Sequence, residues 1–169
     1  PIFFKQQRPG LNEKIFYLIK FRTMKNDLQQ SNPNDQILPD EVRITEFGKI
    51  LRALSLDELP TLFNVIKGDM SLVGPRPLLV KYIERYSSEE RKRHNVKPGI
   101  TGLAQINGRN SLSWEEKFKY DVWYVNNRSL WLDIEILIKT IKKVFTREGI
   151  DSPGFVSGQE FAGKNDEKK

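Results

Sequence analysis

Strand-forming sequence is concentrated in the first two dozen residues of this chain, and that limits its fold more than any other feature. The runs "IFFKQQ" and "KIFYLIKFRTM" are rich in β-branched and aromatic residues, and "RPGLNE" between them carries the turn residues Pro9, Gly10 and Asn12. Two such runs joined by so short a turn pair as an antiparallel hairpin. Alternation puts Ile15, Tyr17, Ile19 and Phe21 on one face of the second strand, and Phe16, Leu18, Lys20 and Arg22 on the other. Both cations therefore point the same way, which suits a solvated edge as well as an anion site. Beyond the hairpin only "MSLVG" reads as a further strand, short and buried. The expected class is α+β: a predominantly helical domain with an N-terminal hairpin and one short extra strand.

The helices follow from spacing and caps. "MKNDLQQSNPNDQILPDEVR" is polar and turn-rich, a loop or a frayed helix. Thr45 N-caps "EFGKILRAL", where Phe47, Ile50, Leu51 and Leu54 form an apolar stripe. Ser55-x-x-Glu58 has the spacing of a capping box, and the helix it would open runs to Gly68 as C′ residue. "LLVKYIERYSSEERKRHN" reads as helix broken at Ser87-Ser88, and "KPGITGLAQINGRN" as a glycine-punctuated loop. Ser113 caps an aromatic amphipathic helix, "WEEKFKYDVWYVNN". "SLWLDIEILIKTIKKVF" is strongly apolar and gathers its lysines at the C-terminal end, as the helix dipole prefers. Residues 1–148 read as one domain and 149–169 as an irregular tail.

Composition narrows the chemistry. With no cysteine, disulfides, thiolate metal sites and Cys nucleophiles are excluded. The single histidine, His94, sits in the charged run "EERKRHNVKPG" and reads as solvated, which leaves no partner for a His-based zinc site. Any catalysis must rest on carboxylates, Lys, Arg, Tyr or a hard metal ion. A formal net charge of +6 points to an anionic partner: nucleic acid, an acidic membrane face or a phosphorylated small molecule. No apolar run approaches the roughly 18–20 residues that span a bilayer. The chain opens at Pro1 without an initiator Met, and we read it as part of a longer polypeptide.

Two adjacent acids, Asp57 and Glu58, open the segment "SLDELPTLFNVIKGDMSLVGPRP". One reading is structural, because acids in a first helical turn complement the macrodipole and Glu58 closes the capping box. The other is catalytic. Neighbours on a helix diverge by about 100°, so one carboxylate can face a substrate while the other turns aside or shares a metal. Without Cys, a carboxylate is the natural covalent catalyst and can attack phosphorus, provided cations offset the repulsion between anions. Arg76, held between Pro75 and Pro77, presents a guanidinium fork to phosphate oxygens, or else is an exposed residue of a rigid turn. Arg109 closes a glycine-rich loop whose backbone N–H groups can approach an anion, though without Walker spacing.

Taken in order, "FFKQQRPG", "FRTM", "TEFGKILRALSLDELPTLFNVIKGDMSLVGPRP", "KPGITGLAQINGR" and "KYDVWYV" resemble the catalytic domain of the bacterial sugar transferases, the monotopic phosphoglycosyl transferases, over residues 1–148. The resemblance implies transfer of a sugar 1-phosphate from a UDP-sugar to a polyprenyl phosphate at the cytoplasmic membrane face, with release of UMP and with Mg2+ as cofactor. It implies Asp57 as nucleophile, Glu58 assisting the metal or the proton traffic, and Arg76 as phosphate ligand. Arg109 and Asp121 match polar positions of the family's site, and Lys20 and Arg22 lie near its basic strand end. The family places a hydrophobic re-entrant helix ahead of "FFKQQRPG". A membrane surface also suits the Trp131–Phe145 helix, with its broad apolar face beside Lys139, Lys142 and Lys143, and equally that helix could pack in a core. Two rivals remain. One is a helix-turn-helix nucleic-acid binder, which Asp57 and Glu58 oppose at the start of its would-be recognition helix. The other is a non-catalytic scaffold of the same fold, which loss of the acidic pair would favour. The preferred reading expects no nucleic-acid partner.

Overall fold

The computed structural model describes residues 1–25, 43–108, 111–146 and 161–163. Strands β1 (Phe3–Pro9) and β2 (Ile15–Phe21) pair antiparallel, with Phe3 opposite Phe21 and Pro9 opposite Ile15. The turn closes through Gly10 N donating to Lys14 O at 2.9 Å, with Asn12 and Glu13 at positive φ. The hairpin buries Phe16 and Leu18 against Met70, with Val65 and Ile100 alongside. Helix α1 (Glu46–Ala53) starts at the Thr45 cap, whose Oγ1 accepts from Gly48 N. Gly48 is needed there, because a Cβ would lie 2.3 Å from Thr23 O.

Between α1 and α2 (Leu62–Lys67) the chain turns through a 3-10 segment, Leu56–Thr61. Ser55 does not cap it. Its backbone is left-handed (φ 54°) and its side chain makes no cap hydrogen bond, so the expected capping box does not form. Pro60, which lacks an N–H, keeps this stretch from being regular α-helix. Gly68 ends α2 with φ 87°, as its C′ role requires. A helix-turn-helix is excluded here, since the would-be recognition helix is a 3-10 turn followed by six residues of α-helix.

Strand β3 (Ser71–Val73) pairs in parallel with β4 (Gly99–Thr101), which lies inside the segment expected to be loop. Val73 and Met70 are buried while Leu72 is exposed, so "MSLVG" is buried on one side only. The chain after Pro77 forms a 3-10 segment (Val80–Arg85), then α3 (Ser88–Arg91) and a second 3-10 turn (Lys92–Asn95). The expected break at the serines is a capping box: Ser87 Oγ accepts from Glu90 N, and Glu90 Oε2 accepts from Ser87 N. Short α4 (Leu103–Asn107) follows β4. Helices α5 (Trp114–Asn127, with a Ser113–Glu116 capping box) and α6 (Leu130–Thr146) then pack over β3 and β4. Their core is Val73, Val96, Ile106, Tyr124 and Ile136. A second, aromatic core joins Tyr82, Tyr86 and Phe118 to Phe161, which lies in the described part of the tail, residues 161–163.

Two expectations about exposure change. His94 is buried rather than solvated, beneath the hairpin turn, and burial beside the Arg93 charge lowers its pKa to about 4. The α1 stripe faces outward: Phe47, Ile50 and Leu54 are exposed, as are Leu59, Leu62, Phe63 and Ile66 that follow. Helix α6 is two-sided, with Ile136 fully buried and Leu130, Trp131, Ile138 and Ile141 exposed. No described helix is long and apolar enough to cross a membrane.

Candidate active site

The acidic pair is bolted to the hairpin from below. Asn64, at 1% exposure, acts like an extra strand partner for β2: its Nδ2 donates to Tyr17 O at 2.8 Å and its Oδ1 accepts from Ile19 N at 3.1 Å. Thr61 Oγ1 donates to Ile19 O at 3.0 Å. These bonds satisfy backbone groups at the β2 edge that would otherwise cost free energy on burial. They also bring the Leu56–Thr61 turn to the height of Lys20.

Glu58 is then clamped. Lys20 Nζ donates to its Oε1 at 2.6 Å and Arg76 Nη2 donates to the same oxygen at 2.7 Å. Burial pushes the Glu58 carboxyl up, but Arg76 and Lys20 together outweigh it and hold the group well below the usual carboxylate range. Arg76 in turn is pushed up by the Glu58 charge, while Lys20 is lowered by burial in spite of that charge.

Asp57 differs in every respect. Its carboxylate makes no hydrogen bond or ion pair with a described residue. Burial, and then the adjacent Glu58 charge, raise its pKa, with Lys20, Arg52 and Arg76 opposing. One member of the pair is thus locked as a counter-ion. The other is an unencumbered, partly desolvated carboxylate in a cationic field, which is the state a nucleophile needs.

Arg76 is aimed by backbone contacts. Gly74 and Gly99 let β3 and β4 approach so closely that a Cβ on Gly99 would lie 2.1 Å from Gly74 N. Beyond them Gly99 N donates to Pro75 O at 3.1 Å and Arg93 Nη2 donates to Arg76 O at 2.8 Å. Arg93 is 3% exposed, sits over the rings of Tyr86 and Phe118, and donates Nε and Nη2 to Asp121 Oδ2 at 3.1 and 2.7 Å. Asp121, expected to bind substrate, is therefore behind the site. It is buried and acts on Arg76 only through Arg93.

The remaining expected residues divide. Lys20 reaches the pair. Arg22 does not: its Nε donates to Pro1 O at 2.9 Å and its Nη2 to Phe3 O at 3.3 Å, with the guanidinium over the Phe4 ring. It anchors the start of the hairpin instead. Arg109 lies outside the described residues. Sequence reasoning missed Arg52, which feels Asp57 and donates Nε to Thr23 Oγ1 at 2.9 Å. It also missed Arg93, hidden in a run of charges, and Arg8, which hairpin register alone puts on the face of Lys20.

Comparison with known proteins places the chain in a family. Residues 1–147 match the sequence model of the family described as bacterial sugar transferase. The chain is 57% identical over 166 residues to the uncharacterized sugar transferase EpsL of Bacillus subtilis (strain 168), covering 98% of this chain and 81% of that protein. It is 44% identical over 163 residues to the undecaprenyl-phosphate galactose phosphotransferase of Salmonella typhimurium, covering 88% of this chain and 34% of that protein. It is 43% identical over 152 residues to the UDP-glucose:undecaprenyl-phosphate glucose-1-phosphate transferase of Xanthomonas campestris pv. campestris, covering 85% and 31%. The chain thus spans about a third of the latter two. A match of this extent means that the chain belongs to the bacterial sugar transferase family.

Proposed function

We propose that this protein transfers a sugar 1-phosphate from a UDP-sugar to undecaprenyl phosphate, releases UMP, and so starts assembly of a bacterial surface glycan. The observation that carries the reading is the division of labour in the pair: Glu58 held at one oxygen by Lys20 and Arg76, and Asp57 beside it with no hydrogen bond or ion pair to a described residue. The names of the Salmonella and Xanthomonas relatives supply the donor and acceptor classes.

An Asp57 oxygen attacks the sugar-bearing phosphorus. The bond from that phosphorus to the bridging oxygen breaks, and its electron pair leaves with UMP. An oxygen of the lipid phosphate then attacks the same phosphorus, and the acyl-phosphate bond breaks to restore Asp57. Lys20, Arg52 and Arg76 are the preorganised charges that let anion meet anion.

Mg2+ fits the donor set. Asp57 and the Glu58 oxygen not engaged by Lys20 and Arg76 are hard oxygen ligands, and among the described residues no three His, Cys, Asp or Glu gather into a protein-only cage. Mg2+ commonly takes one or two carboxylates and completes its shell with substrate phosphates and water. When bound it would neutralise charge on those phosphates. The exposed apolar faces of α1–α2 and α6, in a chain of net charge +6, suit work at the anionic cytoplasmic membrane face, where the acceptor resides.

The test is UMP release from a panel of UDP-sugars with undecaprenyl phosphate in detergent, with and without Mg2+. Release from one donor, absent in Asp57→Asn, is the expected result. Full turnover by Asp57→Asn would refute the covalent route. Retention of the fold with neither turnover nor UDP-sugar binding would favour the scaffold reading.

A further inference from the structure

Phe161 lies beyond residues 1–147, the stretch that matches the family, yet it is buried. The 3-10 segment Val80–Arg85 grips its backbone at both polar groups. Phe161 N donates to Tyr82 Oη at 3.3 Å, and Arg85 Nη1 donates to Phe161 O. Gly163, at φ 91°, passes so near that a Cβ there would lie 3.3 Å from Arg85 Cβ. The Phe161 ring then meets four others. Tyr82 and Phe118 are edge-on to it at 5.6 and 5.0 Å, Trp114 is tilted at 5.4 Å, and Tyr86 is stacked at 5.9 Å. Ring contacts are directional, so a flat side chain fixes the orientation of its neighbours as well as filling space.

Two of those rings also carry the buried guanidinium behind the site. Arg93 Cζ lies 5.7 Å from the centre of the Tyr86 ring and 5.6 Å from that of Phe118. Arg93 Nη1 donates to Tyr86 Oη at 3.3 Å, and Nε and Nη2 donate to Asp121 Oδ2. Nη2 also donates to Arg76 O at 2.8 Å, and Arg76 Nη2 donates in turn to Glu58 Oε1 at 2.7 Å. From Phe161 to the acidic pair, every link is a ring contact or a hydrogen bond with a set direction. A guanidinium buried this deeply keeps its place only while its N–H groups stay matched to their partners. Tilting Tyr86 or Phe118 therefore moves Arg93, and with it the carbonyl that sets Arg76.

We propose that Phe161 is a positioning residue for the transfer reaction: it fixes the Tyr86 and Phe118 rings, these hold Arg93, and Arg93 holds the backbone from which Arg76 reaches the acidic pair. The working catalytic unit then extends past residue 147 to take in Phe161. This rests on the transfer reading above, in which Arg76 offsets phosphate charge. A guanidinium displaced by about 1 Å still attracts a phosphorylated donor but meets the charge of the transition state poorly. The loss should therefore fall on kcat rather than on KM.

The test measures UMP release by full-length protein in detergent, from the donor that wild type uses and at saturating undecaprenyl phosphate. Each variant is checked by circular dichroism to be folded at the assay temperature. Phe161→Ala should lower kcat by about tenfold and leave the donor KM within about twofold of wild type. Phe161→Leu fills much of the space without a flat ring and should lose about threefold in kcat, and it carries the comparison if Phe161→Ala does not fold. Leu137→Ala, which thins the other core on α6, should lower Tm comparably and keep the wild-type kcat. In an Arg93→Lys background, Phe161→Leu should cost no further kcat, because the link to Arg76 is already cut. Wild-type kcat in the Phe161 variants, an equal loss in Leu137→Ala, a loss confined to KM, or full additivity with Arg93→Lys would each overturn the positioning role and leave the transfer reading standing. Wild type that releases no UMP from any donor would overturn the transfer reading, and the role that rests on it.

Discussion

At the residue scale, the two neighbouring acids titrate in opposite directions, and that has measurable consequences. Asp57 is raised, by burial and by Glu58. In the covalent route proposed above it must be ionised to attack, so it should set the acid limb of kcat/KM above the ordinary aspartate range, near 3.9. Glu58 is held low, so its contribution to stability is present above the ordinary glutamate pKa and is lost only as pH falls below it. Asp57→Asn should reduce turnover on the order of 10³-fold or more with little change in Tm. Glu58→Gln should reduce turnover and also cost about 1–3 kcal/mol in denaturant unfolding, because Lys20 and Arg76 lose their counter-ion. His94 works the other way. Its folded pKa of about 4 lies below its unfolded value, so the unfolded chain takes up the proton first. Stability should fall by roughly 3 kcal/mol as pH drops from 6.5 to 4, and His94→Gln should flatten that dependence. The acids were legible in the sequence as a pair, but not which would be free. That depended on Lys20 and Arg76 reaching one oxygen from segments 38 and 18 residues away.

At the scale of elements, close backbone approaches aim the site. Gly99→Ala would place a Cβ 2.1 Å from Gly74 N and force β3 from β4. We expect a cost of about 3 kcal/mol and a loss of activity out of proportion to it, since the displaced strand end carries Pro75 and Arg76. Phe161 is the second lever. Its ring meets Tyr82, Tyr86, Trp114 and Phe118 at centroid distances of 5.0–5.9 Å, and Tyr86 accepts from Arg93 Nη1. Phe161→Ala should cost about 3 kcal/mol and lower Tm by roughly 6–12 °C in a calorimetric scan. The hairpin, the Thr45 and Ser113 caps, the break at the serines and the Gly68 stop were all readable, because each is set by residues within a few positions of one another. The 3-10 turn at Leu56–Thr61 was not. The Ser55-x-x-Glu58 spacing permits a cap, and Glu58 is drawn instead to cations that local sequence does not reveal.

For the whole molecule, the informative surface is apolar rather than charged. The α1–α2 face and one side of α6 leave Phe47, Phe63, Ile66 and Trp131 in solvent within a basic chain. Phe63→Glu combined with Ile66→Glu should lower flotation with anionic vesicles several-fold. High salt should weaken wild-type binding only in part, because the apolar term is not screened. Composition alone restricted any catalysis here to carboxylates, Lys, Arg, Tyr or a hard metal ion, and local patterning determined the α+β class, most element boundaries and the acidic pair itself. Tertiary structure alone decided three things. It turned the α1 stripe outward, put Asp121 behind the site as a support for Arg93, and brought Arg52, Lys20 and Arg76 around one pair of carboxylates. The physical reason is range. Caps, turns and alternation act over a few residues and leave a signature in sequence, whereas the field at a carboxylate is set by whichever charges packing brings within a few ångströms, whatever their separation along the chain.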